Sequence, residues 1–153
     1  EDAFEPIMRE KLGSFGAEVI GVTKCPDELD RITDAIEEFE KQGAELLLLT
    51  GGMSVDPDDL TPTAMRANGA KLVFQGVPMQ PGNMLTLSKK GNMTLIGVPG
   101  ASMHAKITSL EVVLPRIFAG LPVTKNEMEA AGEGGLCMNC KVCTYPACYF
   151  GRF

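Results

Sequence analysis

The residues best suited to chemistry in this chain lie at 50–59, Thr-Gly-Gly-Met-Ser-Val-Asp-Pro-Asp-Asp. They follow the apolar run Leu46-Leu47-Leu48-Leu49, which reads as a fully buried parallel strand. Ligands in open α/β sheets sit beyond the carboxyl ends of strands, so a strand that breaks into two glycines and then acids is a candidate site. Gly51 and Gly52 let backbone N–H groups approach an anion with no Cβ in the way. Asp56, Asp58 and Asp59 offer carboxylates that can hold Mg²⁺ against a phosphate. The plain alternative is an ordinary Gly/Asp turn. Two further Gly/Pro loops end apolar strands: 78–83 (Pro-Met-Gln-Pro-Gly-Asn) after Leu72-Val73-Phe74, and 99–102 (Pro-Gly-Ala-Ser) after 95–98. Three such loops are expected to converge on one rim as a composite pocket for a phosphorylated ligand.

A second constellation is Cys137, Cys140, Cys143 and Cys148, spaced C-x2-C-x2-C-x4-C. Four of the five cysteines fall within twelve residues, in a chain with no secretory signature. That pattern reads as a metal site rather than a disulfide framework. Thiolates hold zinc tetrahedrally or anchor an iron–sulfur cluster. The first three spacings are similar to bacterial ferredoxin ligands and also to the structural zinc lobe of medium-chain alcohol dehydrogenases, so both metals stay open. The segment has few apolar residues of its own, and metal is expected to help it fold. Cys25 stands apart as a structural residue. His104, the only histidine, reads as exposed, and the nine methionines read as core filler, with Met53, Met79 and Met84 beside the loops.

The elements that must position these residues alternate. Phe4, Ile7, Met8, Leu12 and Phe15 mark a helical face ended by Gly16, and Glu18–Val22 reads as a short strand. Leu29, Ile32, Ile36 and Phe39 mark an amphipathic helix closed near Gly43, followed by the strand at 44–49. Thr61 as N-cap, Pro62 at N1 and Gly69 at C′ predict a short helix at 62–68. A strand at 71–76 follows. Segments 84–88 and 93–98, joined by 89–92, predict a β-hairpin. Ser102 is expected to cap a long helix through about Leu121, with Pro115 a kink. The domain reads as residues 1–121, a linker as 122–135 and the Cys-rich tail as 136–153. The fold class is α/β, three-layered: a mostly parallel sheet with helices on both faces and an antiparallel hairpin edge.

With 153 residues, 44% hydrophobic and without tryptophan, the chain can build one aliphatic core. A net charge of −6 with no basic run excludes nucleic acid as an expected partner. No apolar stretch reaches the ~18 residues of a membrane span, and a cytoplasmic location is expected.

Read together, 50–54 with Asp59, Pro81-Gly82 and Val98-Pro99-Gly100 resemble the molybdopterin-binding domain family, whose members include molybdopterin adenylyltransferase and molybdopterin molybdenumtransferase. The segment 25–28 (Cys-Pro-Asp-Glu) is similar to the family's P-D-E element. The resemblance covers roughly residues 10–120. It implies a first strand ahead of the opening helix, so that the sequence is expected to belong to a longer chain. It further implies molybdopterin as ligand, contacted by Thr50, Gly51, Gly52, Met53, Ser54, Asp59, Pro81, Gly82, Asn83, Pro99, Gly100 and Ser102. Asp27 and Asp59 match the positions of the adenylyltransferase branch's two aspartates, which implies Mg-ATP as co-substrate. The Met53-Ser54 pair is closer to the molybdenumtransferase branch, which inserts molybdate. That branch often carries lysines where Gln80 and Asn83 stand. A homo-oligomer, trimer or dimer, is implied as well. The alternative is a non-catalytic molybdopterin-binding module whose tail docks a molybdoenzyme or redox partner or senses metal. A third reading is a related domain of competence-damage proteins or of a FAD synthase, which carry the T-G-G and P-G elements without such a tail.

Overall fold

The computed structural model describes residues 3–54, 56 and 58–152. In chain order the elements are α1 (Phe4–Gly13), α2 (Leu29–Lys41), β1 (Leu46–Thr50), α3 (Thr61–Ala67), β2 (Lys71–Gln75), β3 (Thr86–Lys90), β4 (Met93–Val98), α4 (Ser109–Phe118) and α5 (Lys125–Ala130). Short 3-10 turns occupy Gly100–Met103 and Ala131–Gly134. The four strands form one sheet in the order β1-β4-β3-β2. β1 runs parallel to β4, while β3 is antiparallel to both β4 and β2; the expected β3–β4 hairpin forms, but it lies in the middle of the sheet, with β1 and β2 at the edges. The parallel part of the described sheet is the single β1–β4 pair.

Side chains alternate across a strand, and this sorts the core into two layers. Ile96 and Val98 of β4 and Leu46 and Leu48 of β1 face α1, α4 and α5, among Met8, Leu110, Val113, Leu114 and Met128. Met93 and Leu95, with Leu47 and Leu49, face Ile36 of α2 and Ala64 and Met65 of α3. Helices therefore cover both faces of the sheet. None of them, over the described residues, is long and apolar enough to cross a membrane.

Several local expectations are corrected. Residues 17–26 form no strand; Ala17 N donates to Leu12 O, and no ladder pairs Glu18–Val22 with the sheet. A cleft of about 840 Å³ separates that segment from β1, lined by Phe4, Met8 and Phe15 above and by Ile32, Ile36 and Phe39 below. Consequently β1 is an edge strand, half-buried along 46–49 rather than fully buried. Ser102 does not cap the long helix: it belongs to a 3-10 turn, and α4 starts at Ser109. Thr108 is the N-cap, in a capping box with Glu111. Leu60, not Thr61, occupies the N-cap of α3, because the Thr61 hydroxyl donates to Gly51 O at 2.9 Å instead. The hairpin turn is shorter than expected, Gly91 (φ 55°) and Asn92, since Lys89 and Lys90 continue β3. Residues 122–135 carry α5, whose Met128 is buried in the main core.

Candidate functional site at the carboxyl rim

Strand register decides where the three loops lie. Thr50 pairs with Val98 at the ends of the parallel strands, which puts Gly51-Gly52 and Pro99-Gly100 side by side. Thr86 pairs with Gly97 and with Gln75, so the chain between β2 and β3 emerges at the same rim and brings Pro81-Gly82 with it. The expected convergence on one rim is what the topology produces.

Two of these loops are fixed by polar contacts from the starts of helices. Gly51 (φ 82°) and Gly52 (φ 56°) turn the backbone through the left-handed region that glycine adopts without penalty. A Cβ at Gly52 would come within 2.9 Å of Thr61 Oγ1 and 3.7 Å of Asp27 Oδ1. The glycine is therefore the space between the hydroxyl that ties the loop down and the carboxylate delivered from 25–28. The Pro81-Gly82 loop, which includes a cis Gln80–Pro81 bond, is held from α4: Ser109 Oγ donates to Gly82 O at 2.6 Å and Ser109 N donates to Pro81 O at 3.1 Å. Val77 N donates to Asn83 O at 2.8 Å and closes the loop's neck. Thr61 and Ser109 are positioning residues that motif reading passed over. Their signal in the sequence was only a hydroxyl at a helix start, which reads first as a cap.

The candidates differ in how they present themselves. Thr50, Gly51, Ser54, Asn83 and Gly100 are exposed, Gly52 and Pro81 are half-buried, and Gly82 and Pro99 are buried. Met53 is buried and packs on Gly97 of β4, where a Cβ would collide with its side chain. Met79 is turned into the main core, and Met84 is half-buried. Ser102 is buried with its hydroxyl 3.2 Å from Thr108 Oγ1, an arrangement that serves the turn before α4. His104 is exposed at the end of that turn, and Cys25 is exposed in the loop before α2.

The carboxylates carry the charge of the rim. Asp27, Asp56 and Asp58 are exposed, whereas Asp59 is partly buried. Asp58 N donates to Asp56 Oδ1 at 3.3 Å and Asp59 N to Asp56 O at 3.0 Å. Asp59 Oδ2 is buried and, among the described residues, has no hydrogen-bond partner. A buried carboxylate oxygen without a donor is costly. A phosphate brought to a rim with these aspartates would also be repelled unless a cation lay between them. Both features fit a hard divalent cation shared between carboxylate and phosphate oxygens.

Glycine-bearing loops beyond the carboxyl ends of a parallel pair, backed by acidic side chains, define an α/β protein that binds an anionic ligand. A family model described as "probable molybdopterin binding domain" matches residues 1–119, and the chain belongs to that family. The molybdopterin molybdenumtransferase of Synechococcus elongatus is 26% identical over 117 residues, covering 75% of this chain and 29% of the relative. That of Bacillus subtilis is 35% identical over 85 residues, 56% of this chain and 20% of the relative. A molybdenum cofactor biosynthesis bifunctional protein of Chlorobaculum tepidum is 30% identical over 135 residues, 81% and 43% of the two lengths. The chain thus spans less than half the length of these relatives. The solved structure of the molybdopterin biosynthesis enzyme MoaB from Thermus thermophilus overlays with a TM-score of 0.59 at 22% identity, covering 80% of this chain and 87% of that one. At that identity the likeness is one of fold.

Proposed function

We propose that the rim binds molybdopterin by its terminal phosphate and acts, with Mg²⁺, in the biosynthesis of the molybdenum cofactor. The observation that carries this reading is the Asp27 carboxylate facing the Gly51-Gly52 turn across Gly52, on a loop that also carries Asp59, whose buried Oδ2 has no hydrogen-bond partner among the described residues. Asp27 and Asp59 would hold Mg²⁺, and the metal would neutralise charge developing on phosphate oxygens. Backbone N–H groups of Gly51, Gly52 and Gly100 orient the phosphate, and Thr61 and Ser109 keep the loops in register with it. In adenylyl transfer the pterin phosphate oxygen forms a bond to the α-phosphorus of ATP as the bond to pyrophosphate breaks. Positioning and electrostatics are the chain's contribution. Gln80 and Asn83 supply no cation for molybdate, which favours adenylyl transfer over molybdate insertion.

The test is turnover by purified protein given molybdopterin and Mg-ATP, read as adenylylated pterin and pyrophosphate. Asp59→Ala is expected to lower that rate about a hundredfold, some 2.7 kcal/mol of transition-state stabilisation, while the unfolding midpoint holds or rises, because a buried oxygen without a partner is removed. Release of AMP from adenylylated pterin only when molybdate is present would assign the other branch. Tight pterin binding without either reaction would leave a binding module. For the expected metal in the tail, zinc or an iron–sulfur cluster, no group of three or more His, Cys, Asp or Glu among the described residues is placed to hold an ion.

A further inference from the structure

The chain beyond residue 119, where the family match ends, does not hang free. Met128 and Ala131 sit in the main core, and Gly151 N donates to Gly134 O at 2.9 Å, which closes residues 134–151 into a loop. Two side chains anchor it. Phe150 is buried in the main core. Tyr145 finds an acceptor that the sequence of α4 sets free: Pro115 has no N–H, so the carbonyl four residues earlier, that of Glu111, loses its helical donor. The Tyr145 hydroxyl donates to that carbonyl at 2.9 Å. Burial, with Glu111 and Cys148 nearby, pushes the Tyr145 phenol above its usual value, so the donor keeps its proton.

The near end of the tail lies on the segment that leads into Pro81-Gly82. Leu136 bridges Gln80 in parallel: Gln80 N donates to Gly135 O at 2.6 Å and Cys137 N donates to Gln80 O at 2.8 Å. Both backbone groups of Gln80 are therefore taken up by the tail. Glycines make the approach this close. A Cβ on Gly135 would lie 2.1 Å from Pro78 O, and one on Gly132 would lie 3.0 Å from Pro78 Cγ. Gly135 has φ −79°, a value any residue adopts, so the contact and not the conformation demands glycine there. Exposure alternates in step on the two sides of the bridge. Met79 is buried and Cys137 packs against the same core, whereas Pro78, Gln80, Leu136 and Met138 are exposed.

The loop at 78–83 is thus gripped from two sides, by Ser109 of α4 on Pro81 and Gly82 and by the tail on Pro78 and Gln80. We infer that the tail is a working part of the ligand site: Gly135 and Cys137, through their backbone, position the Pro81-Gly82 loop. Both act through Gln80 and are positioning residues. Docking of the tail and binding of a ligand at the loop then strengthen each other by one common factor. The grip stands on hydrogen bonds and packing; its value to binding rests on the function proposed above.

Amide hydrogen exchange of the fully reduced protein reads the grip, and titration with molybdopterin reads its effect on binding. Gly135→Ala forces Pro78 and the tail apart. Exchange at Gln80 should rise about tenfold, while the amides of β4 keep their wild-type rates. The amides of Val77 and Ser109, which bond Asn83 O and Pro81 O across the loop, should speed up with it. The dissociation constant for molybdopterin should rise about tenfold, and saturating molybdopterin should slow exchange at Gln80 in the wild type. If Gly135→Ala speeds β4 as well, the whole fold has loosened and Tyr145→Phe decides. It frees the tail at its far anchor without a clash, and should raise exchange at Gln80, Val77 and Ser109 about fivefold, the loss of one hydrogen bond. The inference is overturned if Val77 and Ser109 keep their wild-type rates while Gln80 speeds up, if Gln80 speeds up in neither variant, or if both variants bind molybdopterin as tightly as wild type. Protein that shows the exchange response yet never binds molybdopterin would keep the grip on the loop and lose the function proposed above.

Discussion

β1 and β4 are register partners of similar composition, Leu47 opposite Leu95 and Leu48 opposite Ile96, yet their surroundings differ sharply. Leu95 and Ile96 are fully buried, whereas 46–49 are only half-buried. The contrast extends outward. Among the described residues up to 49, Met8 and Ile36 alone are buried, while Leu85, Leu87, Leu110 and Leu114 on the other side show at most 1% exposure. β4 has a strand on each side; β1 has one strand and a cleft. Apolar pattern fixes which faces can be buried, and neighbours fix how far they are.

The largest expected effect tests that contrast directly. Leu95→Ala leaves a cavity in a closed layer and should cost about 2–5 kcal/mol in urea unfolding. Leu47→Ala, facing the same helices from the edge strand, should cost about 1 kcal/mol, because part of that side chain already meets solvent. Equal costs would mean that the cleft beside β1 is filled in solution. Next come the rim glycines, one on each side. At Gly82 (φ 108°) a Cβ would lie 2.8 Å from Ser109 N, a backbone atom with no room to yield. Gly82→Ala should therefore destabilise by more than about 2 kcal/mol, by combining φ strain with a clash. Gly51 (φ 82°) faces open space, so Gly51→Ala should cost only the left-handed strain of about 1 kcal/mol. A pair of equal values would show that the Ser109 contact yields easily.

The same contrast explains what the sequence made legible. The α2 face, the Thr50–Gly52 break and the hairpin are local: periodicity and glycines specify them whatever surrounds them. The site was legible in the same way, since each loop is announced by its own Gly or Pro and the strand order then gathers them. Glu18–Val22 has the composition of a strand, but a strand also needs a neighbour's hydrogen bonds, and here the cleft stands in that place. Ser102 lost its role to Thr108 because two residues could cap, and the one with Glu three positions on completes a capping box. The tail's bridge to Gln80 was illegible because it runs through backbone alone, Gln80 N to Gly135 O and Cys137 N to Gln80 O, which no side-chain pattern announces.

The smallest effect concerns the two capping boxes, again one in each environment. Thr108 caps α4 while fully buried, with Ser102 and Glu111 around its hydroxyl; Thr124 caps α5 at the surface. Thr124→Ala should cost about 0.5–1 kcal/mol at neutral pH, and Thr108→Ala more, since it leaves buried partners unpaired. The exposed box should also respond to acid. Hydrogen bonds from the Thr124 backbone N–H and hydroxyl hold the Glu127 carboxyl below its usual 4.5, with Arg116 lowering it further. A carboxyl depressed by folding stabilises the native state above its unfolded value, and that contribution is lost as pH falls through the folded value. The gap between wild type and Thr124→Ala in urea midpoint should accordingly be constant from pH 7 down to about 5 and narrow below 4.5. A gap that stayed constant in acid would mean that Thr124 serves the helix by its own hydroxyl alone, without the charge on Glu127.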